Sequence, residues 1–330
     1  MTRGLRGLGL TFALAGCHGT QSMTEGAGLQ GVQFSNLFTL FSAVTGFFYL
    51  LVIVGLIGGL ILRPREDRTA EGEKAAGVGF MTWLGGVLLG LTALTVASYV
   101  ADRNVAAATP AHPTLEVQVT GNQWWWDVTY RNADTGQELR TANELHLPVG
   151  VPVRLTLKSN DVIHSFWVPA LGGKQDLIPG RTNMLTLLPT QTGIYRGQCA
   201  EFCGAQHAHM AIDVTIEPRD AFRRWWAAGL APAVPPANPL AKAGYQFVMT
   251  RQCASCHTIS GTPASGRVGP DLTHLASRRS IGAGTFPMTR GHLFAWVADP
   301  QGAKRGNQMP YVGLDADQLR AVVAYLEGLK

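Results

Sequence analysis

The chain has 330 residues, enough for two or three folding units rather than one. Only 15% of them are charged and 39 are glycine, a composition between that of a soluble protein and a polytopic membrane protein. The formal net charge of +5 is small for this length and no Lys/Arg block is present, which excludes nucleic acid as a partner.

The first 17 residues set Arg3 and Arg6 before an apolar run (Leu8, Leu10, Phe12, Leu14) and end in L-A-G-C, the layout of an export signal too short to span a membrane. Ala15 and Gly16 before Cys17 resemble a bacterial lipobox, so 1–17 is expected to be a signal peptide and Cys17 the lipidated first residue of a mature lipoprotein. Two apolar segments follow, about 37–62 and 78–101, uncharged and near or above the ~20 residues that cross hydrocarbon. Apolarity on every face argues against buried helices of a soluble core. Arg63, Arg65, Arg68 and Lys74 lie between them, whereas 17–36 holds no Lys or Arg, which puts the connecting loop in the cytoplasm and everything after residue 102 outside. We therefore expect a transmembrane hairpin over 18–108 that passes the bacterial inner membrane twice, with lipid as a partner.

From Leu115 onward the period becomes two: Leu115, Val117 and Val119 face one way, Glu116, Gln118 and Thr120 the other. Alternation returns at 153–157, 184–188 and 211–216 between Pro/Gly-rich turns, which predicts an antiparallel β-sandwich over 109–220. Near its end C-A-E-F-C-G-A-Q-H-A-H-M, residues 199–210, packs two thiols, an imidazole and a thioether into one loop. Such soft ligands favour copper, and two cysteines in place of one allow two copper ions to be bridged. His164, at a strand end, is best placed to supply a second imidazole; His209 is expected to face away. Structural zinc is the competing use of two Cys and two His, and the added Met210 disfavours it.

These residues also carry a resemblance. G-N-Q-W-W-W-D, D-V-I-H-S-F-W-V-P-A-L-G-G-K-Q-D, I-P-G-R and the 199–210 loop resemble the cytochrome c oxidase subunit II family over the hairpin and the β-domain. The resemblance implies a cupredoxin fold with a dinuclear copper centre (CuA), whose ligands fall on His164, Cys199, the Glu201 carbonyl, Cys203, His207 and Met210. It also implies that the Glu201 carboxylate faces a magnesium ion shared with the catalytic subunit. Trp124 matches the family's surface aromatic through which an electron donor reaches the copper; Trp124, Trp125 and Trp126 are equally read as sandwich filling. One departure stands out: 79–86 keeps Thr82 and Trp83 of the family's second helix but lacks its Glu and Pro, and neither Glu71 nor Glu73 is assigned to proton uptake.

A short helix is expected over 221–228, stopped by Gly229, before a Pro/Ala linker at 231–239. C-A-S-C-H at 253–257 is the attachment signature of a covalent haem c, with Cys253 and Cys256 bonding the porphyrin and His257 ligating the iron. Export, V-G-P-D-L at 268–272 and Met309-Pro310 before a final helix favour haem over a redox dithiol or half a zinc site. That helix opens on a capping-box pair, Asp315 and Gln318, and repeats Leu319, Val322, Val323 and Leu326 on one face. Residues 241–330 resemble an all-α class I cytochrome c domain, which implies Met309 as axial ligand ahead of Met288, with His274 and His292 off the iron.

The whole resembles a caa-type subunit II. That implies electrons from reduced cytochrome c or a similar donor, delivery to a haem–copper catalytic subunit, and reduction of oxygen to water coupled to proton pumping. The same motifs also suit a nitric oxide reductase or a membrane-anchored redox relay.

Overall fold

The computed structural model describes residues 19–62, 70–109, 115–132 and 135–330. Cys17 and the rest of the expected signal lie outside these residues. So do Arg63, Arg65 and Arg68.

Helices α1 (Leu29–Leu62) and α2 (Ala70–Ala108) contain the two segments expected to span, and run beyond them at both N-terminal ends and at the C-terminal end of α2. At 34 residues, α1 is about 50 Å long, more than one hydrocarbon core. Leu60 and Ile61 are 80% and 75% exposed, as helices meant for lipid require and those of a water-soluble core do not. Just before α1 the chain is tied to the next domain: Ala27 N–H donates to Ala170 O at 2.7 Å and Thr190 N–H donates to Ala27 O at 2.7 Å.

Ten strands follow: β1 (Leu115–Asn122), β2 (Trp125–Arg131), β3 (Glu138–Ala142), β4 (Glu144–Pro148), β5 (Val153–Ser159), β6 (His164–Trp167), β7 (Gln175–Leu177), β8 (Asn183–Leu187), β9 (Gly193–Cys199) and β10 (Ala211–Glu217). They form two five-stranded sheets, ordered β3-β2-β1-β5-β8 and β4-β10-β9-β6-β7. Most pairs are antiparallel, but β1 runs parallel to β5 and β4 parallel to β10, so this is a crossed, cupredoxin-like sandwich rather than a meander. The alternation read from the sequence explains the layering: Val117, Val119, Leu155, Leu157, Ile212 and Val214 are inward and buried. Trp126 fills the centre edge-on to Phe166, with ring centroids 5.9 Å apart.

Helix α3 (Arg219–Gly229) begins two residues earlier than expected and includes the glycine. It closes one end of the sandwich with Trp225, which stacks on His146 at 4.1 Å between centroids. His146 lies between two carboxylates, Glu217 at 2.9 Å and Glu144 at 3.7 Å. Burial alone would lower its pKa, but the two acids overcome that and hold it at about 9. The folded value is above the unfolded one, so the contribution is complete below pH 6.5 and is lost as pH rises through 9. Calorimetry of the full chain should show its stability margin over His146→Gln shrinking across that interval by on the order of 3 kcal/mol, a comparison in which the opposite slope from buried Lys304, its pKa lowered to about 7, cancels. A margin that does not change with pH would exclude His146 as the source.

After the linker come α4 (Pro239–Thr250), α5 (Cys253–Cys256), a hairpin of β11 (Ser280–Ile281) and β12 (Phe286–Pro287), α6 (Arg290–Ala298), α7 (Pro300–Ala303) and α8 (Ala316–Leu326). Asn238 caps α4 by accepting from Ala241 N–H, with Pro239 in the first helical position. The expected capping box of Asp315 and Gln318 starts α8, and Leu319, Val322, Val323 and Leu326 are all buried. Helices α4 and α8 cross so closely that a Cβ on Gly244 would lie 1.9 Å from Ala321 O. Glycine is therefore what allows this helix pair to close over the C-terminal core.

Candidate functional site

Two ends of the sandwich sequence meet at one place. His164 opens β6, Cys199 closes β9, and Cys203, His207 and Met210 follow on the loop into β10. The Cys199 and Cys203 sulfurs are 3.7 Å apart. His164 Nδ1 is 3.8 Å from Cys199 Sγ, and His207 Nδ1 is 3.6 Å from Cys203 Sγ. Met210 Sδ approaches Cys203 Sγ to 3.9 Å, and the Cys199 thiol points at Glu201 O at 3.2 Å. All six sequence-predicted positions thus converge, each imidazole flanking a different sulfur. His164, Cys199, Cys203 and Met210 are at most 3% exposed.

The electrostatics favour thiolate. Contact with Cys203 draws the Cys199 thiol far below its ordinary range while that of Cys203 is pushed up, so the sulfur pair shares one negative charge. Asp161 accepts from His164 Nε2 at 2.8 Å, which turns Nδ1 toward the sulfurs. Sequence reading missed Asp161, although its place three residues before His164 was a usable signal. Gln123 Nε2 and Trp124 Nε1 both donate to Cys203 O, at 2.7 and 2.9 Å, and fix the loop from behind. His209 turns away and contacts Gln206. The Glu201 carboxylate is exposed, with the Phe202 amide as its hydrogen-bond partner.

Gly121 on β1 packs against the His164 ring: a Cβ there would lie 2.7 Å from its Cδ2. A rigid imidazole held by Asp161 has no room to give. Gly121→Ala should therefore weaken copper binding about 10–100-fold, as loss of ligand orientation does elsewhere. Titration of the purified full chain with copper checks this, and unchanged affinity would show that His164 is free to move.

The second site is an apolar cleft. Cys256, His257, Leu272, Leu293, Trp296, Met309 and Pro310 line it from the C-terminal domain, and Trp124 and Trp125 line it from the sandwich. The His257 Nδ1–H donates to Pro270 O at 2.7 Å, which leaves Nε2 for a ligand, and burial holds its pKa below the ordinary imidazole range. Gly269 lets the V-G-P-D-L backbone lie on the imidazole, since a Cβ would stand 2.6 Å from His257 Cε1. Met309 is the only methionine lining the cleft among the described residues; Met288 packs on the hydrophobic core instead. His274 bonds to Lys330 O and Ala231 O, and His292 to the Thr289 hydroxyl, so both stand off the cleft. Of the two predicted attachment cysteines, Cys256 lines the cleft and Cys253 packs on the C-terminal core. An imidazole, a thioether, one thiol and apolar walls suit a covalent haem.

Trp124 differs from the expectation of a surface aromatic. It is 8% exposed, because the C-terminal domain lies over it. Its indole faces the copper loop on one side, and the ring borders the cleft on the other.

Residues 132–217 match the family described as cytochrome c oxidase subunit II, periplasmic domain, and residues 241–330 match cytochrome c. The chain is 30% identical to cytochrome c oxidase subunit 2 of Alkalihalophilus pseudofirmus over 331 residues, covering 97% of this chain and 95% of that one. The chain belongs to the cytochrome c oxidase subunit 2 family. The subunit 2 of Bacillus subtilis is also 30% identical, over 82% of this chain and 81% of its own length. The solved periplasmic domain of subunit II from Bradyrhizobium japonicum is 33% identical, covering 36% of this chain and 94% of its own, with a TM-score of 0.33. As a subunit 2 with a cytochrome c domain, the chain is a component of a haem–copper oxidase, and its two outer domains are of copper- and haem-binding kinds.

Proposed function

We propose that this subunit takes electrons from reduced cytochrome c or a similar donor and delivers them to the haem–copper catalytic subunit, where oxygen is reduced to water with proton pumping. The observation that carries the reading is the sulfur pair 3.7 Å apart with an imidazole at each end, beside a cleft lined by His257 and Met309. When bound, a dinuclear copper centre and a covalent haem c supply one-electron storage at two neighbouring points. Cys199, Cys203, His164, His207, Met210 and the Glu201 carbonyl would hold the copper ions. Cys253, Cys256, His257 and Met309 would hold the haem.

The protein's own work is to fix those donors and exclude water. Asp161 and Gly121 orient His164; Gln123 and Trp124 hold the Cys203 carbonyl; Pro270 and Gly269 orient His257. The Pro/Ala linker at 231–239 keeps the haem domain beside the copper loop, at an effective concentration near the millimolar range for short tethers. The exposed Glu201 carboxylate would meet a magnesium ion shared with the catalytic subunit. In this reading α1 and α2 cross the inner membrane and the domains 109–220 and 241–330 stand outside it.

Membranes of a strain lacking this chain test the reading. Oxygen uptake driven by reduced cytochrome c should be lost and return with the full chain. Uptake of nitric oxide in its place would assign the subunit to a reductase of that gas instead.

A further inference from the structure

The loop that carries Met309 starts from a buried lysine, whose pKa burial lowers to about 7. Lys304 is 3% exposed. Its ammonium donates to three backbone carbonyls: Trp124 O at 2.9 Å, His209 O at 2.7 Å and Gly282 O at 2.8 Å. Three donors thus meet three acceptors, the full capacity of an ammonium group. The first two acceptors belong to the sandwich and the third to the haem domain. Among the described residues Lys304 forms no ion pair with a carboxylate, and its amine is directed at these three carbonyls alone.

Both sandwich acceptors adjoin the copper loop. Trp124 holds the Cys203 carbonyl through its indole, and His209 precedes Met210. Contact continues along the chain: Gln206 Nε2 donates to Arg305 O at 2.8 Å, and Gly306 lies beside the Trp124 ring, where a Cβ would make ordinary van der Waals contact at 3.5 Å. At the other end of the stretch, Asn307 accepts from the Met309 amide at 2.8 Å and Gln301 donates to Met309 O at 2.8 Å. Six residues therefore join the proposed copper loop to the proposed iron ligand. Charge agrees with docking: 241–330 holds ten Lys/Arg against five Asp/Glu, whereas 109–220 holds eight against eleven.

We propose that Lys304 is a positioning residue for electron transfer between the two sites, clamping the haem domain onto the copper loop at a fixed separation. The proposal rests on the function proposed above. In the step it serves, one electron leaves the reduced haem and enters the oxidised copper pair, with no proton and no third reactant. The clamp also explains the burial of Trp124: while it is closed, an external donor reaches the haem domain and not this indole.

The Ala211 amide offers a readout independent of turnover, because it donates across the domain interface to Ala283 O at 2.9 Å. In full-length protein loaded with both cofactors, Lys304→Met should raise hydrogen exchange at Ala211 by about tenfold or more. Flash-initiated transfer from haem to copper should slow by about tenfold or more, since small displacements of reacting groups carry large rate costs. Resting copper and haem spectra, and reduction of the haem by its donor, should not change. A second variant, Arg196→Met, removes two hydrogen bonds to Gly284 O at 3.2 Å elsewhere in the interface and should move both readouts the same way by less. Unchanged Ala211 exchange and transfer in Lys304→Met overturn the proposal, as do altered spectra with unchanged exchange, which would place Lys304 in support of a ligand. If Lys304→Met does not fold, unchanged readouts in Arg196→Met overturn it. Wild-type protein without copper and haem signals would defeat the function proposed above, a result distinct from any of these.

Discussion

Cys199→Ser or Cys203→Ser should abolish the mixed-valence copper signal and lower cytochrome c-driven oxygen uptake at least ~100-fold, while the haem absorption stays intact. The ground for so large an effect is that neither sulfur has a substitute. Each contacts the other at 3.7 Å and a different imidazole, so one exchange removes a donor shared by the whole cluster. Serine fits the space, but its hydroxyl is a harder, neutral donor that copper prefers less than a thiolate. The haem cleft draws no ligand from 199–203, which is why its spectrum reports separately. Paramagnetic resonance of the two variants checks the outcome, and a retained copper signal in either would remove that cysteine from the site.

Met309→Leu should eliminate the weak sulfur-to-iron absorption band and lower the reduction potential of the haem, because a Met/His pair raises it. Leucine preserves the apolar wall of the cleft and loses only the thioether. The Met309 backbone is fixed at both ends, its amide donating to Asn307 Oδ1 and its carbonyl accepting from Gln301. Met288→Leu should leave band and potential as they are, since Met288 packs among core residues away from the cleft lining. Loss of the band in Met288→Leu instead would reverse the assignment.

Local chemistry explains what the sequence made legible. Period-two alternation at Val117 and Val119, the capping pair Asp315 and Gln318, and the dense 199–210 loop are each contained within a few residues. Their physical causes act over those same few residues, and the sheets, the last helix and the ligand loop were readable for that reason. His164 was found from a distance only because it stands at a strand end in a segment with a strong family resemblance.

Contacts between domains carried no such signal. Lys304 looks like any surface lysine in Q-G-A-K-R-G-N; only the fold brings Trp124 O and His209 O, 180 and 95 residues away, to its ammonium. Arg278 likewise crosses from the haem domain to Glu144 at 3.6 Å and to the Thr141 hydroxyl at 3.3 Å. The same docking turns Trp124 from an expected surface residue into a covered one. Cation-to-carbonyl contacts have no periodicity and no spacing rule, so they appear only once the chain is folded. The longer membrane helices have a simpler cause: alanine-rich residues such as those at 106–108 continue a helix without adding enough apolarity to mark a span.

The proposed function requires soft sulfur and imidazole donors to gather two copper ions next to a separate covalent haem in one chain. Metal analysis of the purified full-length subunit, read together with its paramagnetic spectrum, tests it most directly. Two copper ions and one haem iron per chain are expected, with one unpaired electron shared by the copper pair. Zinc in place of copper, or a single isolated copper ion, would contradict it.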